Sequence, residues 1–332
     1  MSKIPVFVLS GFLGSGKTSL LERLLQECSQ RNLSAAVLMN EIGKTDTDGE
    51  SLSSKSKMIE KLLDGCICCN KKSEVVQSME KLIALKPDVI FIELTGVANP
   101  EEVADSLTEP ELINIVYLEK VITLIDAEHI LSYNSLFESD RELVKTTRRQ
   151  IEVADLLIVN KTDLVSESKK QKIYKVLLKQ NSMSRVFFST YSNIDLHPLL
   201  NQVKSPKQTI KVRIKREPHD HHKHHDHHKH SDNHHNHSYS RINSITLKLS
   251  SPTSTAEIET FLKKWKSNLL RAKGYLSLGD GTYLMQHVMK RVNWERSSYI
   301  GDPYVVLIGI ELNEEKIKEE WGRTVQKLGA SS

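Results

Sequence analysis

Over the first 200 residues, short apolar runs alternate with stretches in which apolar residues recur at helical spacing. This alternation is typical of a parallel sheet flanked by helices, because strands covered on both faces are apolar throughout. We predict strands at 4–9, 34–39, 88–93, 121–125, 155–159 and 185–188. The sequence therefore predicts an α/β fold in which ligand-binding groups gather beyond the carboxyl ends of the strands.

Beyond residue 241 the pattern changes to one that predicts a small α+β domain. The expected elements are a strand over 242–249, a capped helix near 254–265, a hairpin turn at Asp280-Gly281, a strand over 304–310 and a helix over 313–328. The segment Arg271–Gly274 is a basic patch that is compatible with the solvated end of a helix.

The segment between these two regions is dominated by histidine. Residues 219–237 hold 11 of the 14 histidines, interleaved with Asp and Lys and almost free of apolar groups. Such a composition cannot bury a core and predicts a disordered linker. Neutral imidazoles bind Zn²⁺, Ni²⁺ or Cu²⁺, so we expect metal buffering without selectivity. The predicted division is a domain at 1–205, a linker at 206–241 and a domain at 242–332.

The phosphate loop, residues 11–18, matches the pattern G-x-x-x-x-G-K-[ST] at every fixed position. It follows the first predicted strand and precedes leucines at helical spacing, which is the order that phosphate binding requires. Lys17 can reach the β- and γ-phosphates, and the Thr18 hydroxyl can hold Mg²⁺. A ligand-free glycine turn is the alternative. The predicted phosphate-binding residues are Gly11, Gly14, Ser15, Gly16, Lys17, Thr18 and Ser19.

The segment Asn160-Lys161-Thr162-Asp163 follows a predicted strand and indicates a guanine site. The Asp163 carboxylate can accept hydrogen bonds from guanine N1–H and N2–H₂, a pair that adenine lacks. Lys161 can lay its aliphatic stem over the base, and Ser189, past the next strand, is a further expected nucleotide contact. We therefore predict GTP rather than ATP; a strand-to-helix turn with Asp as its cap is the alternative.

The segment Glu93-Leu94-Thr95-Gly96 ends another predicted strand. The Glu93 carboxylate can organise Mg²⁺ directly or through water, and Gly96 can offer its N–H to a γ-phosphate. With Lys17, these two residues are the predicted catalytic groups. A capped strand end without a ligand is the alternative.

Three of the four cysteines lie together in Cys66-Ile67-Cys68-Cys69. Thiolates suit Zn²⁺, which prefers four tetrahedral ligands, so we predict a zinc site at Cys66, Cys68 and Cys69. The fourth ligand is open: water, a partner's side chain, or the Glu41 carboxylate. Alternatives are a redox pair or buried free thiols, and Cys28 is expected to serve packing alone.

Composition limits the partners. The 332 residues carry 46 basic and 42 acidic side chains, and this small net charge of +4 favours neither nucleic acid nor membrane as a partner. No apolar run approaches the roughly 20 residues of a membrane span. The first strand continues directly into the phosphate loop, so we expect no cleavable signal peptide and a cytoplasmic protein.

Taken together, these motifs resemble those of the CobW-type metallochaperone GTPases, and among them the zinc-regulated GTPase metalloprotein activator branch. The resemblance rests on 11–18, 40–43, 66–69, 93–96 and 160–163. Further similar segments are 126–129, 150–155 and 271–274, so the resemblance covers nearly the whole chain. His129, in the first of these, is a candidate metal ligand.

The resemblance implies a two-domain protein that binds GTP, Mg²⁺ and Zn²⁺, hydrolyses GTP slowly and delivers zinc to a client metalloprotein. A homodimer is compatible with it. Three alternatives stay open: a GTPase for cobalt or nickel insertion, a zinc buffer or sensor with vestigial GTPase activity, and a nucleotide kinase that uses the same phosphate loop.

Overall fold

The computed structural model describes residues 3–40, 59–62, 72–134, 141–204, 241–249, 252–288 and 291–329. The predicted histidine-rich linker therefore lies outside the described residues, except for Arg241. Among the described residues, no helix combines the length and apolar character needed to cross a bilayer.

The N-terminal region alternates strands and helices, as the apolar pattern predicts. Its elements are β1 Ile4–Ser10, α1 Lys17–Gln30, β2 Ala35–Asn40, β3 Ile59–Leu62, α2 Lys72–Ala84, β4 Val89–Glu93, α3 Pro100–Ser106, β5 Val116–Asp126, α4 Ile130–Tyr133, α5 Arg141–Glu152, β6 Leu156–Asn160, a 3-10 turn Thr162–Leu164, α6 Glu167–Gln180, β7 Arg185–Phe188 and α7 His197–Leu200.

The seven strands form one sheet in the order β3-β2-β4-β1-β5-β6-β7. Every neighbouring pair is parallel, so all carboxyl ends meet at one edge. The chain fills one side of β1 with β2 to β4 and then the other side with β5 to β7. This reversal beside β1 is where open α/β sheets bind ligands.

The predicted parallel sheet is confirmed, with two differences. The short strand β3 was not predicted, and β5 begins at Val116 rather than at residue 121. In β5, Glu119 and Lys120 interrupt the apolar run, and the pairing with β1 shifts between Val6 and Phe7. This shift leaves Glu119 as the extra residue of a β-bulge, which a period-based prediction cannot place.

The C-terminal region is an α+β domain, as predicted. Its elements are β8 Ile242–Lys248, α8 Thr255–Lys264, β9 Leu269–Leu278, β10 Gly281–Val288, β11 Arg291–Arg296, β12 Tyr304–Ile310 and α9 Glu314–Gly329. The five strands pair antiparallel in the order β11-β10-β9-β12-β8. Ser254 and Glu257 cap α8 reciprocally, which explains the sharp helix start that the sequence indicates.

The two faces of the C-terminal sheet are buried against different partners. Leu247, Val305 and Leu307 pack on the side of α8 and α9, together with Phe261 and Trp321. The alternate positions Ile242, Val306 and Ile308 join an apolar cluster that includes Val116 and Leu118 of β5. Because strand side chains alternate between faces, β8 and β12 each contribute to both apolar clusters. The second cluster also contains residues of β5, so the two sheets share buried apolar contacts.

A second attachment lies at Arg241, the first described residue after the histidine-rich segment. Its Nη1 donates to the Glu152 carbonyl oxygen at 2.9 Å, and its Nη2 contacts Glu311 Oε1 at 2.9 Å. Its backbone N–H donates to the Asp155 carboxylate. The first described residue of the C-terminal region is therefore hydrogen-bonded to the parallel-sheet region.

The expectation for Arg271–Gly274 as a solvated helix end is wrong. These residues lie inside β9, and Arg271 and Lys273 form ion pairs with acidic side chains on and just after α3. Two basic residues that alternate with Ala and Gly look like a solvated surface in the sequence, because their acidic partners lie far away along the chain.

Candidate functional site

The predicted nucleotide-binding segments meet at the carboxyl edge of the parallel sheet. The phosphate loop follows β1, the loop of residues 94–99 follows β4 (hereafter the β4 loop), and the guanine segment follows β6. Segments as far apart in sequence as Ser15 and Asn160 are brought within hydrogen-bond distance here.

The phosphate loop adopts backbone conformations that need glycine. Gly11, Gly14 and Gly16 have φ values of +126°, +74° and +103°. At Gly16, a Cβ atom would lie 2.4 Å from Asn160 Nδ2, so a side chain would collide with the guanine segment. Helix α1 begins directly afterwards at Lys17, which directs its free N–H groups and positive end at the loop.

Lys17 is buried beneath this loop. Its Nζ donates to the carbonyl oxygens of Gly11 at 2.8 Å and Phe12 at 3.1 Å. Burial lowers the pKa of Lys17, and the nearby Glu93 carboxylate opposes that shift. The ammonium group is thus held on the loop by two neutral carbonyls, which bind it more weakly than phosphate oxygens would. A bound phosphate can therefore replace them as its partner.

Thr18 and Glu93 lie together below the phosphate loop. The Thr18 hydroxyl donates to Glu93 Oε1 at 3.1 Å, and Glu93 is buried at the end of β4. A hydroxyl and a carboxylate in contact supply the oxygen ligands that Mg²⁺ prefers. The hydroxyls of Ser15 and Thr95 are buried without a hydrogen-bond partner in the described part of the chain, as expected of groups that await phosphate oxygens. These residues fit a bound Mg²⁺–nucleotide.

The β4 loop rests directly on the phosphate loop at Gly96. A Cβ atom on Gly96 would lie only 2.6 Å from the backbone nitrogen of Leu13. This close approach places the predicted catalytic Gly96 beside the phosphate loop. It also explains in physical terms why the position is glycine.

Gln150 on α5 holds the β4 loop in place, a role that sequence reasoning missed. Its Nε2 donates to the carbonyl oxygens of Gly96 at 3.1 Å and Ala98 at 3.0 Å. Gln150 is 2% exposed, and Thr123 Oγ1 donates to its backbone carbonyl oxygen at 3.0 Å. A glutamine on the same buried helix face as Val144, Thr147 and Ile151 was the available signal.

Asn160, in the guanine segment (residues 160–163), binds both the phosphate loop and the loop after β7. Its Nδ2 donates to the Ser15 carbonyl oxygen at 3.0 Å, and its Oδ1 accepts from Ser192 N at 2.8 Å and Ser189 Oγ at 3.2 Å. The predicted nucleotide contact Ser189 is buried, and its hydroxyl supports Asn160. Asn160 therefore locks the guanine segment to the phosphate loop.

Lys161 and Asp163 are placed differently from Asn160. Lys161 has φ +61°, and its Nζ contacts Asp126 Oδ2 at 2.7 Å. Burial acts to raise the pKa of Asp126, but hydrogen bonds from Lys161 and the Glu128 N–H outweigh it and hold the pKa below its usual value. Asp163 is exposed in the middle of the 3-10 turn, which leaves its carboxylate accessible to a base edge.

The candidate metal ligand His129 lies near Asp126 and Glu128. Ligand atoms of the three residues lie within 4.8 Å of one another, and His129 Nδ1 is 3.3 Å from Asp126 Oδ2. That same oxygen already contacts the Lys161 ammonium group, so a metal ion would have to displace it. A metal role for His129 therefore stays a prediction.

The predicted zinc ligands Cys66, Cys68, Cys69 and Glu41 lie outside the described residues, as does the histidine tract. Cys28 is 1% exposed in the core, and burial raises the pKa of its thiol to about 12. A buried thiol that resists ionisation serves packing, as the sequence indicates.

Two family models match the chain. The nucleotide-binding domain of CobW/HypB/UreG matches residues 5–188, and the cobalamin synthesis protein cobW C-terminal domain matches residues 242–325.

Named relatives agree with this match. The zinc chaperone YjiA of Escherichia coli is 29% identical over 96% of this chain and 98% of its own length. The zinc-regulated GTPase metalloprotein activator 1 of Schizosaccharomyces pombe is 33% identical, over 59% of this chain and 48% of its own length. This match thus spans about half of the longer activator.

Among solved structures, the zinc-bound YjiA GTPase from E. coli aligns over 98% of this chain with 24% identity and a TM-score of 0.47. HypB from Helicobacter pylori in complex with nickel aligns over 57% with a TM-score of 0.41. Because the first family model spans more than half of the sequence and the second follows it in order, the chain belongs to the CobW/HypB/UreG nucleotide-binding family and carries a CobW C-terminal domain.

Proposed function

We propose that this protein is a GTP-hydrolysing zinc metallochaperone that binds zinc at Cys66, Cys68 and Cys69 and transfers it to a client metalloprotein. Glu41 completes the zinc site. GTP binding and hydrolysis, with Mg²⁺ as cofactor, control when the zinc is held and when it is released.

Each residue of the phosphate site has a task in this proposal. Lys17 leaves the Gly11 and Phe12 carbonyls and neutralises charge on the β- and γ-phosphates, while the Gly96 N–H orients the terminal phosphate. Thr18 and Glu93 hold Mg²⁺, which when bound neutralises charge that develops on the phosphates. Gln150 fixes the carbonyls of Gly96 and Ala98 and so holds the β4 loop at the position from which the Gly96 N–H can reach the phosphate.

Guanine selection is assigned to Asp163. The exposed carboxylate accepts two hydrogen bonds from the N1–H and N2–H₂ edge, and the stem of Lys161 covers one face of the base. Asp126 keeps Lys161 in place through the 2.7 Å contact, and Asn160 keeps the whole segment against Ser15. The residues proposed to select guanine are therefore held in place by contacts with Asp126 and with the phosphate loop.

A single row of paired residues across the sheet carries the coupling part of the proposal. Leu9 pairs with Glu93, Glu93 with Met39, and Met39 with Lys61. Neighbouring strands lie about 4.8 Å apart, so the backbone of Glu93 is about 5 Å from that of Met39 and about 10 Å from that of Lys61. Glu41 is two residues beyond Met39 and Cys66 is five beyond Lys61. The Glu41 segment thus follows β2, which is next to the Glu93 strand, and the Cys66 segment follows β3, one strand further out.

Zinc as the cargo is supported by the names of the relatives, since the full-length match to YjiA is to a protein named a zinc chaperone. It is supported independently by the three thiolates, which are soft ligands. The client is proposed only as a metalloprotein that takes up zinc.

We expect Asp163→Asn to weaken GTP binding by about 10- to 100-fold and to strengthen binding of xanthosine triphosphate. The C2 oxygen of xanthine is an acceptor that matches the new amide, and a bidentate base contact discriminates by about 1–3 kcal/mol. Fluorescence competition with both nucleotides measures the change. Asp302→Asn, at an exposed position of the C-terminal domain, is the control. Equal loss of both nucleotides would exclude Asp163 as the base-reading residue.

The coupling itself is tested by zinc titration of a variant that lacks 219–237, so that the histidine tract does not mask the thiolate site. We expect one Zn²⁺ per chain, with affinities that differ by about 5- to 150-fold between the GTP-analogue and GDP states. By linkage, zinc must change the nucleotide affinities by the same factor. Cobalt substitution reports the ligands, because thiolate-to-cobalt charge transfer is visible in absorption spectra.

The matched variants separate the thiolates from other cysteines. Replacing Cys66, Cys68 and Cys69 with serine should abolish the affinity difference and leave GTP binding nearly unchanged. Cys28→Ala, in the core, should preserve the difference. Identical zinc affinities and cobalt spectra with GTP analogue, GDP and no nucleotide would contradict the chaperone mechanism.

A further inference from the structure

Helix α3 connects the β4 loop to the C-terminal domain. It begins at Pro100, four residues after Gly96, and carries Glu102 and Asp105. Arg271 of β9 contacts Glu102 Oε1 at 3.3 Å and Asp105 Oδ2 at 3.2 Å. Lys273 forms an ion pair with Glu109, just after the helix. The C-terminal sheet thus binds α3 and the residues just after it through the charged groups of Arg271 and Lys273.

These ion pairs are largely removed from water. The side chain of Arg271 is 16% exposed, that of Lys273 is 6% exposed and that of Asp105 is 4% exposed. Charges in such a setting stay together, because separating them leaves an uncompensated charge in a poorly solvated interface. A displacement of α3 must therefore be followed by β9 or must break these pairs.

The β4 loop and the start of α3 are in turn bound to α5. Gln150 binds the carbonyls of Gly96 and Ala98, and the neighbouring Arg149 contacts Glu101 Oε1 at 2.7 Å. Ala98 N–H donates to the Thr95 carbonyl oxygen at 3.1 Å, which closes the β4 loop into a turn ahead of α3. A movement at Gly96 is thus passed to α3 over a short, hydrogen-bonded segment.

A pocket that is open to solvent adjoins α3. It has a volume of about 130 Å³ and lies between the end of α3 and β8, where Ala104, Leu107 and Thr108 face Ile242, Ser244 and Thr246. The pocket opens to solvent along Ser244 and Thr246, which are exposed, so α3 and β8 are not in continuous contact here.

We propose that Arg271 and Lys273 are positioning residues of the GTPase, which act through α3 on Gly96. The C-terminal domain is then part of the γ-phosphate sensor: it sets the position of the β4 loop, and it is moved when that loop closes on GTP. This inference rests on the GTP-hydrolysing part of the proposed function and does not depend on zinc.

The test uses full-length protein and Arg271→Gln. We expect GDP affinity to stay within about twofold of wild type, affinity for a non-hydrolysable GTP analogue to fall at least about fivefold, and kcat for GTP to fall. A merely structural role would lower both nucleotide affinities together. Arg271→Lys should recover part of the loss because it restores the charge. Lys318→Gln, which removes an exposed ion pair with Glu314 in α9, is the control.

Hydrogen exchange on the wild type and on Arg271→Gln gives a second readout. Amides in 100–109 and 269–278 should exchange differently in the GTP-analogue and GDP states, and Arg271→Gln should reduce the difference in 269–278. Identical exchange in both states, or an unchanged affinity ratio in Arg271→Gln, would overturn the inference. A wild-type protein that does not hydrolyse GTP would instead contradict the proposed function, so the two failures are distinguishable.

Discussion

Replacing Lys17 with alanine is expected to reduce GTP hydrolysis by about 10³-fold or more, which corresponds to about 4 kcal/mol of lost transition-state stabilisation. The ammonium group is the one cation that the phosphate loop itself supplies, and it lies buried on the Gly11 and Phe12 carbonyls, ready to contact phosphate. Alanine cannot replace that charge. Phosphate release under single-turnover conditions measures the effect.

The fold should survive this change. Burial lowers the pKa of Lys17, so folding disfavours its charged form, and loss of the charge should not by itself destabilise the nucleotide-free protein. Circular dichroism and thermal unfolding should match those of Gln26→Ala, a variant at an exposed position on the same helix. Hydrolysis retained by Lys17→Ala would place the active site elsewhere.

Gly96→Ala is expected to lower kcat by about 10²-fold or more while GDP affinity stays within a few-fold of wild type. A new Cβ atom would lie 2.6 Å from Leu13 N and 3.3 Å from Leu13 Cα, and neither backbone atom can yield without moving the phosphate loop. The β4 loop must therefore retreat, and a misplacement of about 1 Å costs about 10²-fold in rate. GDP lacks the γ-phosphate that this loop is proposed to contact.

Gly322→Ala is the matched control, because a Cβ atom there meets nothing within 4 Å. It should leave hydrolysis unchanged and slightly stabilise α9, since alanine is favoured over glycine in a helix by about 1 kcal/mol. If Gly96→Ala hydrolysed GTP at the wild-type rate, the β4 loop would have no part in contacting the terminal phosphate.

Local sequence was sufficient to predict the elements with strong periodicity and the motifs made of consecutive residues. The phosphate loop and the guanine segment each consist of consecutive residues, so residue type and spacing are enough to identify them. The capped start of α8 was predictable for the same reason, because Ser254 and Glu257 are three residues apart.

Other features depend on contacts between residues far apart in the chain. Gln150 lies 54 residues from Gly96, and Arg271 lies 166 residues from Asp105, so no local pattern indicates either contact. The same holds for the row that joins Glu93 to Met39 and Lys61, which strand order alone decides. The amino-acid sequence by itself determined which groups are predicted to bind the nucleotide, because that chemistry is carried by short segments. Only the tertiary structure decided how those groups are held and connected to the C-terminal domain, because burial and strand pairing select partners that sequence separation conceals.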